Sequence, residues 1–114
     1  MGKADITREY IVQKTAALFN QQGYSGTSLK DLTTATGLTK GAIYGNFANK
    51  DEVALAAFDY NFQRISAEIS SRMTLKETML EKLLVYPEFY RDALRTNFLP
   101  GGCPLLTTAT EADD

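Results

Sequence analysis

Three observations predict an all-α fold. Apolar residues recur at i, i+3, i+4 and i+7 through most of the chain, and no segment alternates as a strand would. Good helix starters (Thr, Ser, Asn) and helix-ending glycines stand at intervals that suit helices. Finally, Thr27–Lys50, TSLKDLTTATGLTKGAIYGNFANK, places two short helix-like segments on either side of Gly37, the spacing of a helix-turn-helix. The resulting layout is a three-helix head over residues 1–50. A long connecting helix and a truncated helical body follow over 51–114.

The first helix is expected to start at Thr7, an N-cap residue, and to carry Ile11, Thr15, Leu18 and Phe19 on one stripe before stopping at Gly23. Thr27 or Ser28 caps the second helix. Leu29, Leu32, Thr33 and Thr36 share its buried face, which requires the two threonine hydroxyls to bond the carbonyls of Leu29 and Leu32. Gly37 then ends the helix, Leu38 plugs the corner and Thr39 caps the third helix. Ile43 and Phe47 face the core there, so Lys40, Gly41 and Tyr44 project outward.

Asn49 with Glu52 forms a capping pair for a fourth helix running to Met73, a span of roughly 35 Å at ~1.5 Å per residue. Thr74-Leu75-Lys76-Glu77 is a capping box for the fifth. Pro87 removes a donor and crowds the carbonyl of Leu83. Leu80, Leu83, Leu84, Tyr90 and Leu94 nevertheless keep one phase across it, which predicts a single kinked helix. Leu99-Pro100-Gly101-Gly102 reads as a loop, and Pro104 suits the first turn of a sixth helix.

Composition excludes several functions. The 114 residues allow one domain, or one domain and part of another. No apolar run is long enough for a membrane span, and Met1-Gly2-Lys3-Ala4 does not open a signal peptide. Cys103 stands alone, so no internal disulfide forms and a cytoplasmic address is expected. With no histidine the chain lacks the usual general base and the commonest metal ligand, so neither an enzyme nor a metal or cofactor site is expected. Asp51/Glu52 and Glu111/Asp113/Asp114 read as cap chemistry and a solvated acidic end rather than as paired catalytic carboxylates.

The net charge of −2 hides an asymmetry. Residues 1–50 hold six basic and three acidic side chains, a net of +3, while residues 51–114 hold six and eleven, a net of −5. A phosphate backbone meets the local field, so the basic half can face nucleic acid despite the acidic total.

Residues 7–64 resemble the DNA-binding head of the tetracycline-repressor-like (TetR) family of bacterial transcriptional regulators. The resemblance rests on TREYIVQKTAALFNQQGY, TSLKDLTTATGLTKGAIYGNF and NKDEVALAAF, and PGGCPLLTTATEADD resembles the start of helix 6 in one branch. It implies a sequence-specific regulator, a ligand-responsive repressor bound as a homodimer to a palindromic double-stranded DNA operator. It also implies a small-molecule effector of unknown identity in the body and no membrane partner.

The resemblance further implies phosphate contacts at Thr27, Ser28 and Lys50. Thr39, Lys40 and Gly41 match positions that meet the major groove first, where Lys40 can donate to guanine O6 and N7. Tyr44 and Asn46 match positions touching backbone or a thymine methyl. Ala42 stands where a hydroxyl is usual and could touch a thymine methyl instead. Gly45 and Asn46 replace a bulkier pair, and Thr33 and Thr36 replace alanines.

Phe62, Tyr86 and Tyr90, with Cys103, are candidates for a ligand pocket, although aromatics at helical spacing more commonly fill a core. The alternative to DNA binding is a helical protein-interaction or ligand-sensing module.

Overall fold

Six helices follow one another in the computed structural model, which describes residues 2–112. They are α1 (Lys3–Gln22), α2 (Leu29–Thr36), α3 (Lys40–Tyr44), α4 (Lys50–Met73), α5 (Met79–Thr96) and α6 (Pro104–Ala112). Among the described residues there is no strand, and no helix is long and apolar enough to cross a membrane. Asp113 and Asp114, part of the expected acidic end, lie outside the described residues.

The N-cap of α1 lies five residues before the expected cap, Thr7. It is Gly2, and the Asp5 carboxylate accepts from the Gly2 N–H at 3.3 Å. Thr7 is therefore interior, and its hydroxyl donates back to the Lys3 carbonyl at 3.1 Å. The expected stripe holds, with Ile11 and Thr15 fully buried and Leu18 packed at the edge of the core. Thr15 can be buried because its hydroxyl donates to the Ile11 carbonyl at 2.8 Å.

α2 starts at the Ser28 cap, whose Oγ accepts from the Asp31 N–H at 3.1 Å while Asp31 accepts from the Ser28 N–H at 2.9 Å. That backbone bond, with the Ser28 hydroxyl, holds the Asp31 carboxyl below its ordinary pKa. Leu32 and Thr36 are buried, and Thr36 bonds the Leu32 carbonyl as expected. Thr33 differs: it is only half-buried, and its hydroxyl donates to Lys30 rather than Leu29.

Gly37 ends α2 in the left-handed region at φ 72°, ψ 10°, with its N–H on the Thr33 carbonyl. A Cβ there would meet nothing within 4 Å, so only the backbone conformation demands glycine. Gly37→Ala should therefore cost about 1–2 kcal/mol, and Gly37→Asn clearly less. Thermal denaturation of the two variants checks this; equal costs would mean that the turn relaxes out of the left-handed region.

Two cores form among the described residues. The first gathers Ile11, Ala16 and Phe19 from α1, Leu32 from α2, Ile43 and Phe47 from α3 and its exit, and Val53 and Ala57 from α4. The first turns of α4 thus complete the head. The second core, smaller, packs Ile65 of α4 against Phe89 and Ala93 of α5, with Phe98 and Leu99 at its edge.

Asn20 ties the head to the body. It is nearly buried, and its Nδ2 donates to the carbonyls of Pro100 at 2.7 Å and Gly102 at 2.8 Å. The loop before α6 therefore lies so close to α1 that a Cβ on Gly101 would collide with the Asn20 backbone.

α5 departs most from expectation. Its cap is Thr78, not Thr74, and Thr78 Oγ1 accepts from the Glu81 N–H at 3.2 Å. Both Thr74 and Thr78 open the pattern Thr-x-x-Glu. A start at Thr74 would leave no residues to turn the chain back onto α4, and Thr74 is spent closing that helix instead. The helix does run unbroken through Pro87.

The buried stripe of α5 is Val85, Phe89 and Ala93. Of the leucines that keep phase across Pro87, Leu80 is 67%, Leu83 59%, Leu84 47% and Leu94 82% exposed. The leucine phase is apolar as well, and packing against Ile65 of α4 selects the Phe89 and Ala93 face instead.

Candidate nucleic-acid interface

The outward surface is built by what holds α3 in place. Thr39 caps it, Oγ1 accepting from the Ala42 N–H at 3.1 Å. Ile43 and Phe47 anchor its other face at 0% and 2% exposure. That phasing leaves Thr39, Lys40 and Gly41 exposed in a row on the first turn. Nothing inside the protein requires glycine at 41, where a Cβ would meet only Thr39 Oγ1, at 3.9 Å. The missing side chain instead leaves the helix backbone bare toward solvent.

The remaining predicted residues are less free. Tyr44, expected to project outward, packs its ring against the head core and is half-buried. Asn46 turns its amide back, Nδ2 donating to the Ala42 carbonyl at 2.9 Å, so it finishes α3. Ala42 is half-buried beside it.

Thr27 leaves the surface altogether. It is 0% exposed, and its hydroxyl donates to the Gly23 carbonyl at 2.6 Å. It closes the α1–α2 loop, so any anion contact at this end of α2 falls to exposed Ser28 and the free N–H groups of the first turn. Lys50 opens α4 with its Nζ 4.1 Å from the Tyr24 ring centroid. The Asn49 cap bonds the Glu52 N–H as expected, but Glu52 reaches the Ala48 N–H rather than that of Asn49.

Two residues without a predicted role organise this surface. Arg8 donates to the Asn46 carbonyl at 2.7 Å, pairs with Glu52 at 3.4 Å and lies 4.1 Å from the Phe47 ring centroid. It thereby pins the end of α3 to α1. Its phase was the available signal, since it precedes Ile11 and Val12 by three and four residues and shares their face. Tyr24 donates its hydroxyl to Asp51, which raises its pKa, and its ring carries Lys50.

The four candidate ligand contacts do not converge. Phe62 stacks on Phe58 along α4 and is 36% exposed, while Tyr86 is 46% exposed on α5. Only Tyr90 and Cys103 meet, hydroxyl to Sγ at 3.6 Å, and that bond with burial pushes the Tyr90 pKa to about 12. Burial opposes ionisation of the Cys103 thiol, but the Leu106 amide, the Tyr90 hydroxyl and the Leu105 amide outweigh it and lower its pKa. Cys103 is half-buried.

A capped α2, a left-handed glycine, a short exposed α3 and a long α4 leading into a helical body define the helix-turn-helix class. Residues 11–57 match the model of the bacterial regulatory proteins of the tetR family. A transcriptional regulator of the TetR family from Cytophaga hutchinsonii superposes over the whole chain with a TM-score of 0.95 at 52% identity, covering 57% of that structure. A second TetR regulator, from Chloroflexus aurantiacus, gives 0.91 at 39% identity, with 58% of its chain covered. The HTH-type transcriptional repressor ComR of Escherichia coli is 30% identical over 104 residues, 90% of this chain and 50% of that protein. Residues 11–57 thus carry the head of the TetR family, the whole chain is similar to TetR-family regulators, and it spans about half the length of the curated relatives it matches.

Proposed function

We propose that this chain carries the DNA-reading head and the start of the regulatory body of a cytoplasmic, non-enzymatic transcriptional repressor. The observation that carries the reading is the bare first turn of α3, with Thr39, Lys40 and Gly41 exposed on a helix anchored from behind by Ile43 and Phe47. The head comprises residues 1–50 with the first turns of α4, and the rest belongs to the body.

In this reading α3 enters a major groove, and Lys40 donates to a base edge while Gly41 and Ala42 admit close approach. Ser28, Lys50, the Tyr44 hydroxyl and Asn46 supply backbone contacts. Two heads in a homodimer would occupy half-sites roughly 34–36 Å apart on a palindromic operator. An effector in the body would act through α6 and α4 on the spacing of the heads.

Fluorescence anisotropy on duplexes selected from a random library with this chain tests the reading. A selected duplex should bind far better than a scrambled one, with affinity falling steeply as salt rises because counterions are released. Salt-insensitive binding, or no preference for selected duplexes, would overturn it and favour the protein-interaction alternative.

A further inference from the structure

We infer that the cleft where α1, α4 and α6 meet binds a small organic cation with an apolar body. Its volume is about 610 Å³, within the range of small-molecule sites and too small for a folded partner. Phe19, Leu55, Phe58 and Pro104 make its walls apolar. None of Phe62, Tyr86, Tyr90 and Cys103 lines it, so it is separate from the pocket anticipated in the body.

The polar groups of the cleft select the charge. Asp51 and Glu111 line it, and no lysine or arginine does. Glu111 accepts from the N–H groups of Tyr24 at 2.7 Å and Ser25 at 3.1 Å, and Asp51 accepts from the Tyr24 hydroxyl. Each carboxylate keeps acceptor capacity beyond these bonds. The lysine of this region, Lys50, lies over the Tyr24 ring instead.

Deeper in, Asn20 and Asn61 spend their Nδ2 groups on carbonyls of the loop and of Ala16. Among the described residues no donor reaches either Oδ1. An anionic occupant would face two carboxylates with no lysine or arginine lining the cleft, and a neutral donor could bond these acceptors but would not offset their charge. An ammonium or amidinium on a hydrophobic stem satisfies both the walls and the polar groups. It would also bridge all three helices, since Glu111 belongs to α6, Asp51 and Asn61 to α4, and Asn20 to α1.

The test is amide-resolved NMR of this 114-residue chain, without DNA, titrated with phenethylamine, phenethyl alcohol and phenylacetate. The amine should shift Tyr24, Ser25 and the Asn61 side chain saturably, at least about fivefold more tightly than the alcohol, with phenylacetate weakest. Glu111→Gln should weaken the amine by about fivefold. Because that change also removes a tie between α6 and the head, Leu55→Lys is the second variant. Leu55 is 70% exposed, so an ammonium there should leave the melting temperature unchanged and weaken the amine about tenfold. Equal binding of the three probes, shifts confined to other surfaces, or an unaffected Leu55→Lys would each overturn the proposal.

Discussion

Lys40→Ala should weaken binding to a selected duplex by about tenfold or more while leaving the melting temperature unchanged. Lys40 is exposed on the first turn of α3, and no ion pair holds it among the described residues, so its removal costs the folded protein almost nothing. A lysine donating to guanine O6 and N7 is worth about 1–3 kcal/mol of discrimination, a factor of roughly 5–150. Anisotropy against the selected duplex and a single-base variant separates two forms of the contact. If Lys40 reads a base, the loss is large on the selected duplex and discrimination at one position collapses. If it neutralises a phosphate, the loss is uniform across sequences and the salt slope falls by about one. Unchanged affinity on every duplex would remove α3 from the reading surface.

The neighbouring positions sharpen that experiment. Gly41 has room for a methyl within the protein, a Cβ meeting only Thr39 Oγ1 at 3.9 Å. A loss of affinity in Gly41→Ala would therefore arise from the surface that α3 approaches. Asn46 is engaged with the Ala42 carbonyl and, through its own carbonyl, with Arg8. A loss in Asn46→Ala would be ambiguous for that reason, and Lys40 is the cleaner probe.

The head was more legible in the sequence than the body, and the reasons are local. Ser28, Gly37 and Thr39 each act within four residues of themselves, so their chemistry can be recognised without knowing what packs above. Ile43 and Phe47 follow from the same short-range phase. Thr27 and Tyr44 were harder, because helical phase does not reveal that the Gly23 carbonyl lies within reach of one, or that the head core needs the ring of the other. On α5 the decision was entirely tertiary. Leucines on one face and Val85, Phe89 and Ala93 on another are both acceptable apolar stripes until Ile65 of α4 selects the second. Asn20 was invisible for the complementary reason: a polar residue gains a buried place only when specific carbonyls, here of Pro100 and Gly102, come to it from 80 and 82 residues away.

The largest effect on stability is expected at Phe47. It is 2% exposed and packs with Ile43, Ile11 and Val53 at the point where α3 hands over to α4. Phe47→Ala should cost about 3–5 kcal/mol, combining lost apolar transfer with a cavity the three helices cannot close. Against a domain stability of about 5–15 kcal/mol, that is enough to leave the head partly unfolded near its working temperature. The melting temperature should fall by more than about 10 °C, and duplex binding should be lost with it. Phe47→Leu separates the two things this ring does. Leucine restores much of the volume, so the head should fold, but it offers no π face to the Arg8 guanidinium 4.1 Å from the ring centroid. Arg8→Ala should then cost about 0.5–1 kcal/mol less in the Phe47→Leu background than in the parent, the worth of an exposed cation–π contact. Urea denaturation of the four proteins in this cycle measures the difference. Equal costs in both backgrounds would show that Arg8 holds the end of α3 through the Asn46 carbonyl and Glu52 alone, with the ring serving only as core.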